Sequence, residues 1–321
     1  MKKKLMCMLL TGVLAASMLA GCGSSDAADE ATNGTNDAAE SETVADDAAD
    51  DAEEATASNF DAASMIAVYS REDGSGTRGA FIELFGIEQK DENGEKVDYT
   101  TEEAVVTNST DVMLTSVSGD TYGIGYVSLG SLNDTVKAVK IDGAEATVEN
   151  IKSGTYTVAR PFNIATCGDV SDVAQDFINF IMSADGQAVI EAKGYISVSD
   201  AAAFESNGAE GKVVVGGSSS VSPVMEKLIE AYVAINPNAE IELQTSDSST
   251  GMTGTVDGTL DIGMASRELK DTEIEAGLTG TQIAMDGIAV VVNQENPVED
   301  LSSEAVKSIF MGETTEWDAI N

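Results

Sequence analysis

The sequence predicts an α/β fold built on parallel strands, and three observations predict it. Short apolar runs of strand length alternate with segments whose apolar residues recur at helical spacing. The turns between a run and the helix after it are rich in glycine and hydroxyl residues. The part of the chain with this pattern, residues 65–321, is long enough to bury a sizeable core. In chain order, residues 65–69 form the first strand and residues 79–85 the first helix. Residues 123–129 read as a buried strand, and residues 173–192 as one helix with Val173, Phe177, Phe180 and Ile181 on one face. A strand at 212–215 leads into a helix at 223–234 that carries Val224, Leu228, Ile229 and Tyr232 on one side. Residues 240–244 alternate as a strand does, and 260–264 and 288–292 supply two more. Strands separated by helices imply a parallel sheet, with ligands at the carboxyl ends of its strands.

Composition removes several function classes. The 321 residues contain 56 acidic and 17 basic side chains, no histidine and three cysteines, for a formal charge of −39. Without histidine there is no Ser-His-Asp triad, no Cys-His pair and no histidine metal site. The charge argues against nucleic acid, which needs a basic face. No metal and no cofactor is expected, and neither is enzymatic activity.

The N-terminus reads as a secretion and lipidation signal over residues 1–21. Lys2, Lys3 and Lys4 precede a sixteen-residue apolar stretch, residues 5–20, which is short for a membrane span. It ends in Leu19-Ala20-Gly21-Cys22, which resembles the bacterial lipobox; that resemblance implies cleavage before Cys22 and a lipid on its thiol. Residues 22–63 follow as an acidic tether: from Gly23 to Ala63 there are thirteen Asp or Glu and no Lys or Arg, with Phe60 the only aromatic. Such a segment cannot bury enough apolar surface to offset chain entropy, so it reads as disordered. Cys167 is expected to be a small buried apolar residue.

The chemistry lies in the turns. Arg71-Glu72-Asp73-Gly74-Ser75-Gly76-Thr77, Gly216-Gly217-Ser218-Ser219-Ser220-Val221-Ser222-Pro223 and Ser246-Asp247-Ser248-Ser249-Thr250-Gly251 each follow a strand and open a helix. A helix start offers unpaired N–H groups and partial positive charge, and hydroxyls add donors. Each turn alone is an ordinary cap. Three of them with one arginine describe an anion cradle. The spacing of a nucleotide-binding P-loop is absent.

At these residues the chain resembles the phosphate-binding protein of bacterial phosphate ABC transporters, a periplasmic-binding-protein-like (type II) family of two α/β lobes that close on one ion. The motif 70–78, the loop 217–223, the segment 261–270 and the blocks 284–293 and 309–312 carry the resemblance. Their order is changed, because the blocks of 212–321 come first in the family. Each occurs once, so the expectation is a circular permutant whose old ends are joined through residues 200–211. Two halves pairing between chains is the alternative to a monomer closing on itself. One lobe would then be continuous, 164–292, and the other discontinuous, 64–163 plus 293–321, with hinges near 159–163 and 292–293.

The resemblance implies inorganic phosphate as ligand, an ABC permease as partner, and a place at the extracytoplasmic face of the cell membrane through a lipid at Cys22. It carries the ligand contacts onto Arg71, Ser75, Gly76 and Thr77, onto Ser219 and Ser220, onto Ser248, and onto Ser266. Arg71 would supply the main charge, with Asp73 orienting it. Many members hold an aspartate after the third strand to accept the phosphate proton; here Ser266 stands there in an ungapped reading, or Arg267 with one insertion. Asp247 or Asp286 could act instead. Sulfate, molybdate or tungstate therefore stays open as the ligand, as does a surface phosphate sensor without transport. A hydrolase of phosphate esters lacks a general base.

Overall fold

A computed structural model describes residues 60–320. The expected signal, the lipidation site Cys22 and the tether up to residue 59 lie outside the described residues. The last residues of that expected tether are folded: Phe60 packs against Tyr122 and Trp317 at 5.2 and 6.0 Å between ring centroids.

The chain starts with strand β1 (Ala67–Arg71), helix α1 (Gly76–Leu84), the hairpin β2 (Glu88–Lys90) and β3 (Lys96–Asp98), then β4 (Val105–Thr107). Helix α2 (Thr110–Ser118) leads to β5 (Gly123–Ser128), which is buried throughout and ends in a 3-10 turn, Leu129–Ser131. Short strands β6 (Val136–Ala138) and β7 (Lys140–Ile141) and helix α3 (Val148–Ser153) precede β8 (Ala159–Cys167). Helices α4 (Asp172–Met182) and α5 (Ala184–Ala192) are followed by β9 (Ile196–Ser197). Then come β10 (Gly211–Ser218), α6 (Ser222–Ile235), β11 (Ala239–Ser246), α7 (Ser248–Val256), β12 (Ile262–Ala265), α8 (Asp271–Glu275), β13 (Leu278–Asn293), β14 (Asp300–Leu301) and α9 (Ser303–Phe310).

Eight strands run across one sheet in the order β11-β10-β12-β8-β13-β5-β1-β4. At one end, β11, β10 and β12 are parallel, and at the other β5, β1 and β4 are parallel. Between them β8 runs antiparallel to β12 and β13, and β13 antiparallel to β5. The sheet is therefore mixed, where the sequence predicted a parallel one. The reason is β13, sixteen residues long, which pairs with β8 through Leu278–Gly287 and with β5 from Ile288 to Val292.

Two apolar cores flank this switch, and they make two lobes. One holds Val68, Phe81, Tyr126, Ile288, Val290, Val292 and Phe310, with Phe81 stacked on Tyr126 at 3.9 Å. The other holds Phe162, Phe177, Tyr195, Val215, Leu228, Tyr232, Ile262 and Ile283. Of the stretch 288–292, expected in the continuous lobe, Ile288, Val290 and Val292 lie in the first core, and Ala289 and Val291 pack with Met113, Leu114 and Val117 of α2. The change of partner at Gly287/Ile288 puts the stretch there, five residues before the expected hinge.

The predicted helix 173–192 is two helices. Ser183 adopts an extended backbone between α4 and α5; its hydroxyl donates to the Phe180 carbonyl (2.7 Å) and accepts from the Gly186 N–H (3.3 Å). Cys167 is half-buried at the end of β8, and not buried as expected. Among the described residues no helix is long and apolar enough to cross a membrane.

Candidate functional site

The three glycine and hydroxyl turns meet where the carboxyl ends of β1, β10, β11 and β12 converge. Each turn is fixed by its own cap. Ser75 Oγ accepts from Arg78 N at the start of α1 (3.3 Å), and Asp247 Oδ1 accepts from Thr250 N at the start of α7 (2.9 Å). Pro223 in the first turn of α6 fits where an N–H would lack a helical acceptor. Gly217, at φ +131°, lets the β10 turn pass so close to β12 that a Cβ would fall 2.4 Å from the Met264 carbonyl.

From these frames the side chains form one hydroxyl cluster. Thr77 Oγ1 lies 2.8 Å from Ser220 Oγ and 3.4 Å from Ser266 Oγ. Ser266 Oγ is 2.9 Å from Ser218 Oγ and 3.5 Å from Ser248 Oγ, while the Ser266 N–H donates to Ser248 Oγ at 3.1 Å. All five are buried, Ser248 and Ser266 completely. Gly76 closes the arrangement, because a Cβ there would sit 2.5 Å from Ser248 Oγ and 2.8 Å from Ser266 Oγ. Arg71, also buried, donates from Nη2 to Ser219 Oγ (3.1 Å).

Of the predicted residues, Arg71, Gly76, Thr77, Ser219, Ser220, Ser248 and Ser266 are brought together. Ser75 stands at the edge, its oxygen engaged in capping α1. Three features escaped sequence reasoning. Glu72 orients Arg71, accepting from Nε at 2.8 Å and from Nη2 at 2.7 Å. Asp73, expected in that role, is exposed and pairs with Arg78 instead (2.9 Å); on alternate sides of the turn, only residue 72 faces Arg71. Ser218 joins through Ser266, and Thr110 Oγ1 lies 3.4 Å from Ser219 Oγ and 3.3 Å from Ser220 Oγ. The signal for Thr110 was available, since Asn108-Ser109-Thr110-Asp111 is another hydroxyl-rich helix start.

Neither candidate proton acceptor joins the cluster. Asp247 is committed to capping α7. Asp286 is buried against Arg160 at 3.1 Å on the β13–β8 pair, and burial, partly offset by Arg160, pushes its carboxyl up to about 6. Arg267 turns to Glu273 (2.7 Å), whose carboxyl is held below its usual range by hydrogen bonds from Arg267 and the Lys270 N–H that outweigh burial. The cluster is thus one cation with its carboxylate and a shell of hydroxyls, suited to a small oxyanion. Among the described residues no group of acidic or cysteine side chains could hold a metal ion.

Two lobes joined by a long shared strand, with a hydroxyl-rich cluster at the carboxyl ends of β1, β10, β11 and β12, mark a substrate-binding protein of the periplasmic-binding-protein class. The model of the PBP superfamily domain matches residues 46–185 and 202–320. The "Phosphate-binding protein PstS 2" of Streptococcus agalactiae serotype V is 58% identical over 257 residues, 80% of this chain and 88% of that one. The crystal structure of a phosphate-binding protein of a phosphate ABC transporter from Streptococcus pneumoniae TIGR4 superposes with a TM-score of 0.64 at 45% identity, covering 80% of this chain and all of that one. A phosphate-binding protein of Bacillus subtilis is 33% identical over 123 residues, 38% of this chain. The chain belongs to the PBP superfamily and, within it, to the family of these bacterial phosphate-binding proteins. Its relatives are binding proteins by name, not enzymes.

Proposed function

We propose that this protein binds inorganic phosphate in the cleft between its lobes and presents it to an ABC permease, held at the extracytoplasmic face by a lipid on Cys22. The observation that carries the reading is the convergence of Arg71, Thr77, Ser219, Ser220, Ser248 and Ser266 at the carboxyl ends of four strands, β1, β10, β11 and β12. Arg71, steered by Glu72, supplies the full charge. The hydroxyls and the N–H groups at the helix starts supply dipoles, which hold an anion without a large excess of positive charge. Ser75 adds its hydroxyl hydrogen while its oxygen caps α1. The bonds from Arg71 to Ser219, from Thr77 to Ser220 and from the Ser249 N–H to the Gly74 carbonyl (3.2 Å) link the two lobes, so they are made on closure and broken on release.

Hydroxyls can donate or accept, so this shell meets the proton of hydrogen phosphate without a carboxylate. The same property favours a second reading, a site for sulfate, molybdate or tungstate: a carboxylate facing a fully ionised anion would repel it, and the one carboxylate of the cluster, Glu72, is taken up by Arg71. We also infer the changed order of the blocks to be a circular permutation within one monomer. The short match to the Bacillus protein, against the long match to the streptococcal one, supports this. The lobes would then be 60–158 with 288–320, and 159–287, moved from the sequence-based limits by the partner switch in β13.

Calorimetric titration of the soluble chain without its lipidation signal tests the function. Tight one-to-one phosphate binding, lost in Arg71→Ala, is the expected result. Preference for another oxyanion transfers the function to that ion, and binding unchanged in Arg71→Ala rejects the site.

A further inference from the structure

Thr110 lies outside every turn that the sequence singled out, yet it reaches both serines of the β10–α6 turn. It is the first residue of α2, a helix of nine residues capped by Ser109, which accepts from Val112 N at 3.2 Å. The hydroxyl is buried, with 4% of the residue exposed, and it stands 3.4 Å from Ser219 Oγ and 3.3 Å from Ser220 Oγ. These separations are long for hydroxyl pairs, whose usual distance is about 2.7–2.8 Å. Thr110 Oγ1 is thus near two oxygens and firmly bonded to neither. The N–H of a first helical residue has no acceptor within its helix. The other end of α2 is fixed, because Asn293 Nδ2 donates to the Val117 and Ser118 carbonyls at 3.2 and 2.8 Å. Asp111 follows Thr110 but is exposed, so its charge is screened by solvent.

We propose that Thr110 is a further ligand contact of the oxyanion site, its hydroxyl binding the anion from the β5 lobe opposite Ser219 and Ser220. This rests on the phosphate reading and deepens it. The cradle then has donors from four helix starts: α1, α2, the β10–α6 turn and α7. The long spacings to Ser219 and Ser220 are what a hydroxyl needs if its hydrogen is to turn toward a third oxygen between them. Arg71 and Thr110 approach Ser219 from different elements, so the anion is held from two directions on that lobe.

The test is calorimetric titration of wild type, Thr110→Val and Thr110→Ser with phosphate, with thermal unfolding of each ligand-free protein. Valine keeps the shape and removes the hydroxyl; serine restores it. The expected result is an affinity at least about tenfold weaker in Thr110→Val, within about threefold of wild type in Thr110→Ser, and ligand-free unfolding that moves little in either. Phosphate bound equally well by wild type and Thr110→Val overturns the inference while leaving the functional reading intact. A loss in Thr110→Val that Thr110→Ser shares also overturns it, because packing and not the hydroxyl would be responsible. If wild type binds no phosphate, the functional reading fails; the same three proteins titrated with sulfate then decide, and sulfate bound equally or not at all overturns the inference too.

Discussion

At the scale of single residues, a glycine separates binding from stability most cleanly. Gly76 is the first residue of α1, where alanine is the better helix former by about 0.5–1 kcal/mol. In the closed arrangement the added methyl would fall 2.5 Å from Ser248 Oγ and 2.8 Å from Ser266 Oγ, which no adjustment of tenths of an ångström relieves. The proposed opening, which would part α1 from α7 and β12, would relieve it. Gly76→Ala should therefore weaken phosphate affinity by about tenfold or more, on the same scale as a lost bond to a charged group. Its ligand-free unfolding midpoint should stay the same or rise. A midpoint that falls together with affinity would show that Gly76 serves folding and not closure. Motif spacing had marked Gly76, Thr77, Ser219, Ser220, Ser248 and Ser266 because hydroxyls beside glycine at helix starts are a local pattern. The partner of Arg71 was not legible in the same way. Glu72 and Asp73 are adjacent carboxylates, and the choice between them depends on which side of one turn faces β10, a tertiary fact.

At the scale of elements, β13 decides most of what local pattern could not. Its apolar run at 288–292 is plain in the sequence, but its first ten residues, with Thr279, Gly280, Thr281 and Gln282, do not read as strand. They are strand because β8 and β9 pair with them. The break between α4 and α5 was hidden for the opposite reason: apolar spacing continues across Ser183, and only the Ser183-Ala184-Asp185-Gly186 capping signal opposes it. On β13, Asp286 faces Arg160 directly across the ladder, next to Tyr195 and Tyr156, with Arg160 in turn near Arg71. Burial dominates over the pairing, so the folded carboxyl titrates near 6, above its ordinary 3.8. A raised folded value means that the folded state holds the proton more tightly. Its stabilising contribution is complete below about pH 4 and lost as pH rises through 6. The unfolding free energy of wild type minus that of Asp286→Asn should therefore fall between pH 4 and 6 and level off above 7. Denaturant titrations across that range check it, and a difference that grows with pH would show Arg160 to be the stronger influence.

At the scale of the whole molecule, the position of the chain ends makes the permutation testable. The Ile66 N–H donates to the Thr315 carbonyl at 2.8 Å, and the Asp318 N–H donates to the Ala62 carbonyl at 2.8 Å. The first and last described segments thus share one edge, so a short linker from Ile320 to Phe60 would join them without crossing the fold. The segment proposed to join the old ends is exposed around Ala201 to Ala203 and carries no helix or strand before β10 begins at Gly211. Beyond Ala203 it is pinned: Asp176 accepts from Ser206 Oγ (2.7 Å) and the Asn207 N–H (3.1 Å), and Asp185 accepts from the Phe204 N–H (2.7 Å). A cut between Ala202 and Ala203 leaves those bonds in place. Moving a chain break between two such sites changes loop-closure entropy by only about 1 kcal/mol, since each doubling of loop length costs about 0.6 kcal/mol. The chain that starts at Ala203, runs through Ile320 and the linker, and ends at Ala202 should therefore fold as a monomer. It should bind phosphate within about threefold of the natural order and unfold within about 5 °C of it. Gel filtration and titration read both quantities. A dimer would mean that the halves pair between chains, and a monomer without binding would mean that the present order of the blocks is needed to bring Arg71 to Ser219.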